Sequence, residues 1–326
     1  VSALALAAPP SDAALRGALE PALARAGLGA PRALRRRPSE YRTSFPLEVL
    51  ELDYEAGQTL KLAFKQLDWD RLDEGARLAK PEFLHDPARE PAVYAALADL
   101  LAGPPRYFGA VVEAERHWLF VEWVEGRELY QVGELELWCA AASWLGEMHE
   151  TLLPHVERLA GAAPLLEHDA AYHRRWLRRA IEFRGDGSEG RGIARLEECH
   201  EAVVEGLATL PRTLIHGEFY ASNVLVAGTV EPRIAPVDWE LAAIGPGLTD
   251  LAALVSGGWE EEQRIAIVAA YADGLGSEVA PKALDFARLQ LAIQWLGWAP
   301  PEWEPPEGQR HDWLAEAFSL VEKLGL

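Results

Sequence analysis

Residues 214–226 read L-I-H-G-E-F-Y-A-S-N-V-L-V, followed by P-V-D-W-E at 236–240 and D-L-A at 250–252. Thr213-Leu214-Ile215 and Val224-Leu225-Val226 are short apolar runs of the kind that form buried strands, so the residues between them make a loop. Ile234 to Val237 reads as another strand, which delivers Asp238 at its end. One short region thus collects an imidazole (His216), a carboxamide (Asn223) and the carboxylates Glu218, Asp238 and Asp250.

That set suits phosphoryl transfer. One carboxylate can receive the acceptor's hydroxyl proton, while an amide and a second carboxylate hold the magnesium that bridges nucleotide phosphates. The region resembles the catalytic core of the aminoglycoside phosphotransferase family, relatives of choline kinases and protein kinases, whose pattern is H-G-D-x-x-x-x-N, then a D-W-E-like magnesium motif, then D-L-A. The resemblance covers most of the chain from about residue 33 onward. It implies that Glu218 takes the proton, that His216 braces the loop, that Asn223 and Asp238 bind Mg2+, and that Asp250 ties the loop to the next helix. The chain departs from the pattern at one place, where Glu218 is one methylene longer than the family's aspartate. Read singly, each residue has a plainer account: Asn223 caps a turn, Asp238 ends a strand, and His216 is a hydrogen-bonded core histidine. The ordered set points to the chemistry.

At 326 residues with 49% hydrophobic composition, the chain can bury a large core, and two lobes are expected. Formal net charge is −20, which argues against nucleic acid as a partner, since binding there draws on clustered Lys and Arg. Up to Gly126 there are 15 basic and 19 acidic residues, and beyond it 16 and 32, giving −4 and −16. Only Cys139 and Cys199 occur, so a disulfide framework is not expected and a reducing cytoplasm fits. The opening V-S-A-L-A-L-A-A-P-P is apolar but has no basic leader and is too short to span a bilayer, so it reads as a tail. The scattered histidines form no zinc-binding pattern.

After a helix around Asp12–Ala26, strands are expected at Ala33–Arg37, Leu47–Tyr54 and Thr59–Leu67, the sheet of a small nucleotide-binding lobe. No glycine-rich loop joins the first two strands. The connection offers Ser39, Thr43 and Ser44 hydroxyls with Arg42, either for phosphate or as an ordinary polar turn. In L-K-L-A-F-K-Q-L the two-residue period puts Lys61 and Lys65 on one face. Lys65 ends the apolar run, as does the lysine that grips the α- and β-phosphates in the family. Its partner is Glu90, which starts a helix with an apolar stripe of Val93, Tyr94 and Leu97; alternatively Glu90 is a first-turn acid favoured by the helix dipole. Two strands follow, the second running to Gly126; this resembles the hinge of the kinase-like fold, which implies that extended backbone from about Glu122 to Val124 hydrogen-bonds a purine edge. Trp123 and Val124 pack either on the ring or in the core.

The expected second lobe is mainly helical, over Glu134–Leu153, Asp169–Arg184, Ile193–Leu210, Trp259–Gly274, Pro281–Trp298 and His311–Leu324. Residues 184–192 read as a loop, and prolines interrupt helix at 299–308. Arg174, Arg175, Arg178 and Arg179 form a basic patch that pairs with acidic surroundings or receives an anionic acceptor group. Trp259, Trp295, Trp298, Trp303 and Trp313 gather in the tail, as packing or as a wall for a ring-bearing ligand. The expectation is an α+β, two-lobed protein-kinase-like fold, with residues 1–126 the nucleotide lobe ending in a hinge and 127–326 the catalytic and acceptor lobe. The expected function is Mg2+- and ATP- or GTP-dependent phosphorylation of a hydroxyl on a neutral or cationic small molecule, with no membrane or nucleic-acid partner. The competing reading is a catalytically impaired relative that binds nucleotide or a small molecule without phosphorylating it, because misplacing a base by about 1 Å costs ~100-fold.

Overall fold

A computed structural model describes residues 9–39, 41, 44–55, 57–114, 116–186, 189–228, 232–300, 303 and 311–326. The structural expectations for the 1–8 tail, Arg42, Thr43 and most of the proline-rich 299–308 segment lie outside them.

The amino-terminal sheet is antiparallel, with strands β1 (Ala33–Pro38), β2 (Leu47–Asp53), β3 (Thr59–Gln66), β4 (Tyr107–Glu113) and β5 (Arg116–Glu122) in the order β1-β2-β3-β5-β4. Strand alternation gives it two faces with different tasks. Leu62 and Phe64 of β3 point to one side, where they meet Leu15, Leu19 and Leu23 of helix α1 (Asp12–Arg25) together with Leu50, Leu52 and Phe120. Helix α1 starts where the Ser11 hydroxyl accepts the Ala14 amide at 3.2 Å. The odd-numbered residues of β3, Lys65 among them, face the other way. On that side lies α3 (Arg89–Leu97), which buries Glu90, Val93, Tyr94 and Leu97 as its periodicity predicts.

Between β3 and α3 the sequence gives little warning of α2 (Glu74–Ala79), a short helix capped by Asp73, whose carboxylate accepts the Gly75 amide at 2.9 Å. Lys80 follows it directly.

The second lobe is helical: α4 (Leu129–Val132), α5 (Leu135–Leu152), α6 (Val156–Ala162), α7 (Ala170–Arg184), α8 (Gly190–Ala208), α9 (Leu248–Leu254), α10 (Glu261–Leu275), α11 (Pro281–Leu296) and α12 (Trp313–Leu324). Two small sheets sit among these helices. One joins β6 (Gly126–Glu128), β9 (Val224–Ala227) and β10 (Arg233–Pro236); the other joins β7 (Leu166–Glu167), β8 (Arg212–Ile215) and β11 (Ala243–Pro246). The expected strand running to Gly126 instead stops at Glu122, and residues 126–128 pair with β9. Pattern alone cannot see this, because the apolar run continues while the chain changes partner sheets. Helix α8 likewise starts at Gly190, inside the expected loop. Among the described residues no helix is long and apolar enough to cross a membrane.

Candidate active site

The loop after β8 is held from behind. Asp250, in the first turn of α9 and 1% exposed, accepts the amides of His216 at 2.6 Å and Gly217 at 2.9 Å. It also meets His149 Nε2 at 3.3 Å, and His149 Nδ1 lies 2.9 Å from the Tyr271 hydroxyl. His216 is fully buried; its Nε2 donates to the Val237 carbonyl at 2.9 Å and its Nδ1 accepts the Glu218 amide at 3.3 Å. Burial pushes this imidazole down despite the nearby Asp250 charge. A neutral histidine bonded at both nitrogens is a brace, not a free base. Gly217 adopts φ +85°, and a Cβ there would come within 2.2 Å of the Leu241 carbonyl, so the loop and the turn after Asp238 touch backbone to backbone.

Asn223 Nδ2 donates to the Glu218 carbonyl at 3.0 Å, and the Asn223 carbonyl accepts the Val237 amide at 2.9 Å. Loop and strand β10 are thereby joined just before Asp238. Asp238 has φ 67° and ψ 63°, and among the described residues it is the one non-glycine with positive φ. Left-handed backbone costs a non-glycine roughly 1–2 kcal/mol and tends to mark functional positions.

Lys65 Nζ donates to Asp238 Oδ1 at 2.6 Å and to Glu90 Oε2 at 2.8 Å. Sheet, helix and turn therefore meet on one ammonium. Burial disfavours the Lys65 charge, but Asp238, Glu90 and Glu240 outweigh it and hold its pKa well above the ordinary value. Asp238 is pulled below the usual carboxylate range by Lys65, against its own burial. Glu90 rises to about 7, chiefly through burial. Glu218 rises to about 8 through burial and then through the neighbouring Glu240 and Asp238 charges.

Other sequence candidates fall differently. Lys61 pairs with Glu125 at the surface, as expected of a solvated lysine. The Ser44 carbonyl accepts the Asp73 amide at 3.0 Å, and no described residue engages its hydroxyl. Its neighbour Phe45 lies beside Lys65, whose Nζ is 5.7 Å from the ring centroid. Glu122 is committed to other bonds: its carboxylate holds Arg233 at 2.7 and 2.9 Å and the Arg106 amide at 3.0 Å, and its own amide donates to the Arg106 carbonyl. The Trp123 amide donates to Lys61 O. Of the 122–124 amides only that of Val124 has no described partner.

The basic patch is largely paired: Arg174 with Glu201, Arg179 with the Gly297 and Trp298 carbonyls, and Arg175 over Phe83. Trp295, Trp298 and Trp313 do gather, and Trp295 Nε1 donates to the Tyr220 hydroxyl at 2.9 Å, two residues from Glu218. Trp259 goes elsewhere, edge-on to Trp138. Sequence reasoning passed over Lys80, Arg89 and the role of Glu240. Of these, only Glu240 stood inside a quoted motif.

A small antiparallel sheet packed on a helical lobe, with a buried lysine bridging helix and turn carboxylates, defines the two-lobed protein-kinase-like fold. Residues 75–292 match the phosphotransferase enzyme family. The chain belongs to that family. The matched segment begins after Lys65. The chain matches no curated protein in sequence. Among solved structures it is similar to the macrolide 2′-phosphotransferase MphH from Brachybacterium faecium, at 22% identity over 86% of this chain and 90% of that one, with a TM-score of 0.55. It is also similar to the choline kinase LicA from Streptococcus pneumoniae (12% identity, 95% and 99% covered, TM-score 0.58). The GDP complex of aminoglycoside 2′-phosphotransferase-IIIa has a TM-score of 0.59 at 13% identity, with 90% of this chain and 93% of that one covered. At these identities the likeness is one of fold.

Proposed function

We propose that this chain moves the γ-phosphoryl group of ATP or GTP to a hydroxyl of a small molecule, in a magnesium-requiring reaction. The acceptor is a neutral or cationic compound such as an aminoglycoside-like sugar, a macrolide, an amino alcohol or another natural product. The observation that carries this reading is the bridge from Lys65 to Glu90 and Asp238, at 2.8 and 2.6 Å. It joins residues far apart in sequence into the ammonium and carboxylates that phosphate handling needs.

In this reading residues 1–126 form the nucleotide lobe, and Lys65, aimed by Glu90, neutralises the transferring phosphates. The Val124 amide meets the purine edge. Asn223 and Asp238 suit magnesium: the Asn223 side-chain oxygen and one Asp238 oxygen have no described partner, and this ion keeps water and phosphate oxygens for its other positions. When bound, it neutralises charge on the β- and γ-phosphate oxygens. Glu218 orients the acceptor hydroxyl and takes its proton as the new O–P bond forms and the bond to the nucleoside diphosphate breaks. His216 and Asp250 keep Glu218 in place.

Glu218, Asp238 and Glu240 belong to a lobe of net charge −16, and this favours a neutral or cationic acceptor. The test is a mass-resolved screen of hydroxylated metabolites and antibiotics with ATP or GTP and magnesium, looking for gain of one phosphoryl group. No gain on any acceptor, together with no nucleotide binding, refutes the proposal.

A further inference from the structure

Lys80 is absent from the machinery above, yet it is among the most buried charges in the protein, with its side chain 5% exposed. It forms an ion pair with Glu240, two residues beyond Asp238. The backbone carbonyl of the same Glu240 accepts Arg89 Nη1 at 2.7 Å. Arg89 is itself fixed, donating to the Leu84 carbonyl at 2.8 Å and the Pro164 carbonyl at 2.7 Å. Glu240 is therefore gripped at its side chain by Lys80, from the segment between β3 and α3, and at its backbone by Arg89, the first residue of α3. Lys80 Nζ also lies 5.4 Å from the Phe45 ring, the ring that Lys65 approaches from 5.7 Å.

Burying an ion pair is a poor way to gain stability, because desolvation consumes most of the attraction and apolar residues of similar volume do as well. What a buried, hydrogen-bonded pair adds is a defined geometry. The geometry that needs support is next door: Asp238 in a left-handed conformation, on a turn (Trp239–Leu241) that touches the Gly217 loop. Backbone held in such a region persists only when its surroundings over-determine it.

We propose that Lys80 is a positioning residue: by clamping Glu240 it holds the Asp238 turn against the amino-terminal lobe and so presents the Asp238 carboxylate beside Lys65. The clamp is a property of the ligand-free protein. Its consequence for magnesium rests on the phosphotransferase reading.

The experiment compares Lys80→Met, Lys80→Arg and Glu240→Gln by amide hydrogen exchange without ligand, and by binding of fluorescent N-methylanthraniloyl ATP and GTP with and without magnesium. In Lys80→Met, exchange at 237–242 should rise about tenfold or more while α5 and α10 stay as protected as in the parent. Lys80→Arg should restore protection. Magnesium's enhancement of nucleotide binding should fall about tenfold, with magnesium-free affinity unchanged. A merely structural lysine would loosen the helices too and would not single out the magnesium-dependent part. Should Lys80→Met not fold, Glu240→Gln keeps the Arg89 contact and must show the same local loosening. Parent-like exchange at 237–242 in a folded Lys80→Met or Glu240→Gln variant overturns the clamp. Absence of nucleotide binding by the parent protein counts against the phosphotransferase reading instead, and the exchange data still decide on Lys80.

Discussion

Replacing Lys65 by Met separates what the residue does for the fold from what it does for chemistry. Its side chain is 8% exposed, and its partners Glu90 and Asp238 are 3% and 17% exposed. Removing one member of a buried ionic group costs about 3–5 kcal/mol, because the remaining charge stays unpaired. Here the loss should sit near the lower end, at about 3 kcal/mol, since Glu90 already has a pKa of about 7 and can take a proton. Lys65→Met/Glu90→Leu removes the stranded carboxylate as well and should recover stability to within about 1 kcal/mol of the parent. Turnover should not recover, remaining ~100-fold or more down in both variants, because nothing replaces the ammonium at the phosphates. Lys61→Met is the control: that lysine is 36% exposed and its partner Glu125 68%, so the expected cost is under ~1 kcal/mol with little change in rate. Urea unfolding midpoints and phosphoryl-transfer kinetics on the same preparations give both quantities. A double variant that regains turnover, or a Lys61 variant that loses more than the Lys65 variant, refutes the assignment.

Glu218→Gln should lower turnover ~100-fold, about 2.7 kcal/mol of barrier, with nucleotide affinity nearly intact; unaltered turnover would remove the proton-accepting role. Gly217→Ala should destabilise by more than about 2 kcal/mol, given φ +85° and a Cβ 2.2 Å from the Leu241 carbonyl. Gly27→Ala, with φ +72° but nothing within 4 Å of its Cβ, should cost only about 1 kcal/mol, and equal losses in unfolding experiments would show that the loop contact is soft. His173, 2% exposed, is held neutral by burial with a pKa of about 4. Its folded pKa is depressed, so the unfolded chain binds the proton first as pH falls through about 6.5, and up to about 3 kcal/mol is lost by pH 4. His173→Gln should flatten the stability profile between those pH values, and a slope identical to the parent's would assign the acid loss to other groups.

The amino-acid sequence by itself determined most of the elements and named most of the candidate site residues. Alternation in β3 placed Lys65 on the face away from Leu62 and Phe64, helical spacing set Glu90 on the buried side of α3, and the order of His216, Glu218, Asn223, Asp238 and Asp250 marked the loop. Those are local signals, set by strand and helix periods and by short motif spacing. Contacts made across long separations decided the rest: the Glu122 carboxylate took Arg233 as its partner, the chain switched sheets at Gly126, and Phe45 came to lie against Lys65. The pairing of Lys80 with Glu240, 160 residues away, leaves no periodic trace, because neither residue's local pattern depends on the other. Only packing the lobes together confines the two charges where water cannot screen them, and that forces them to meet.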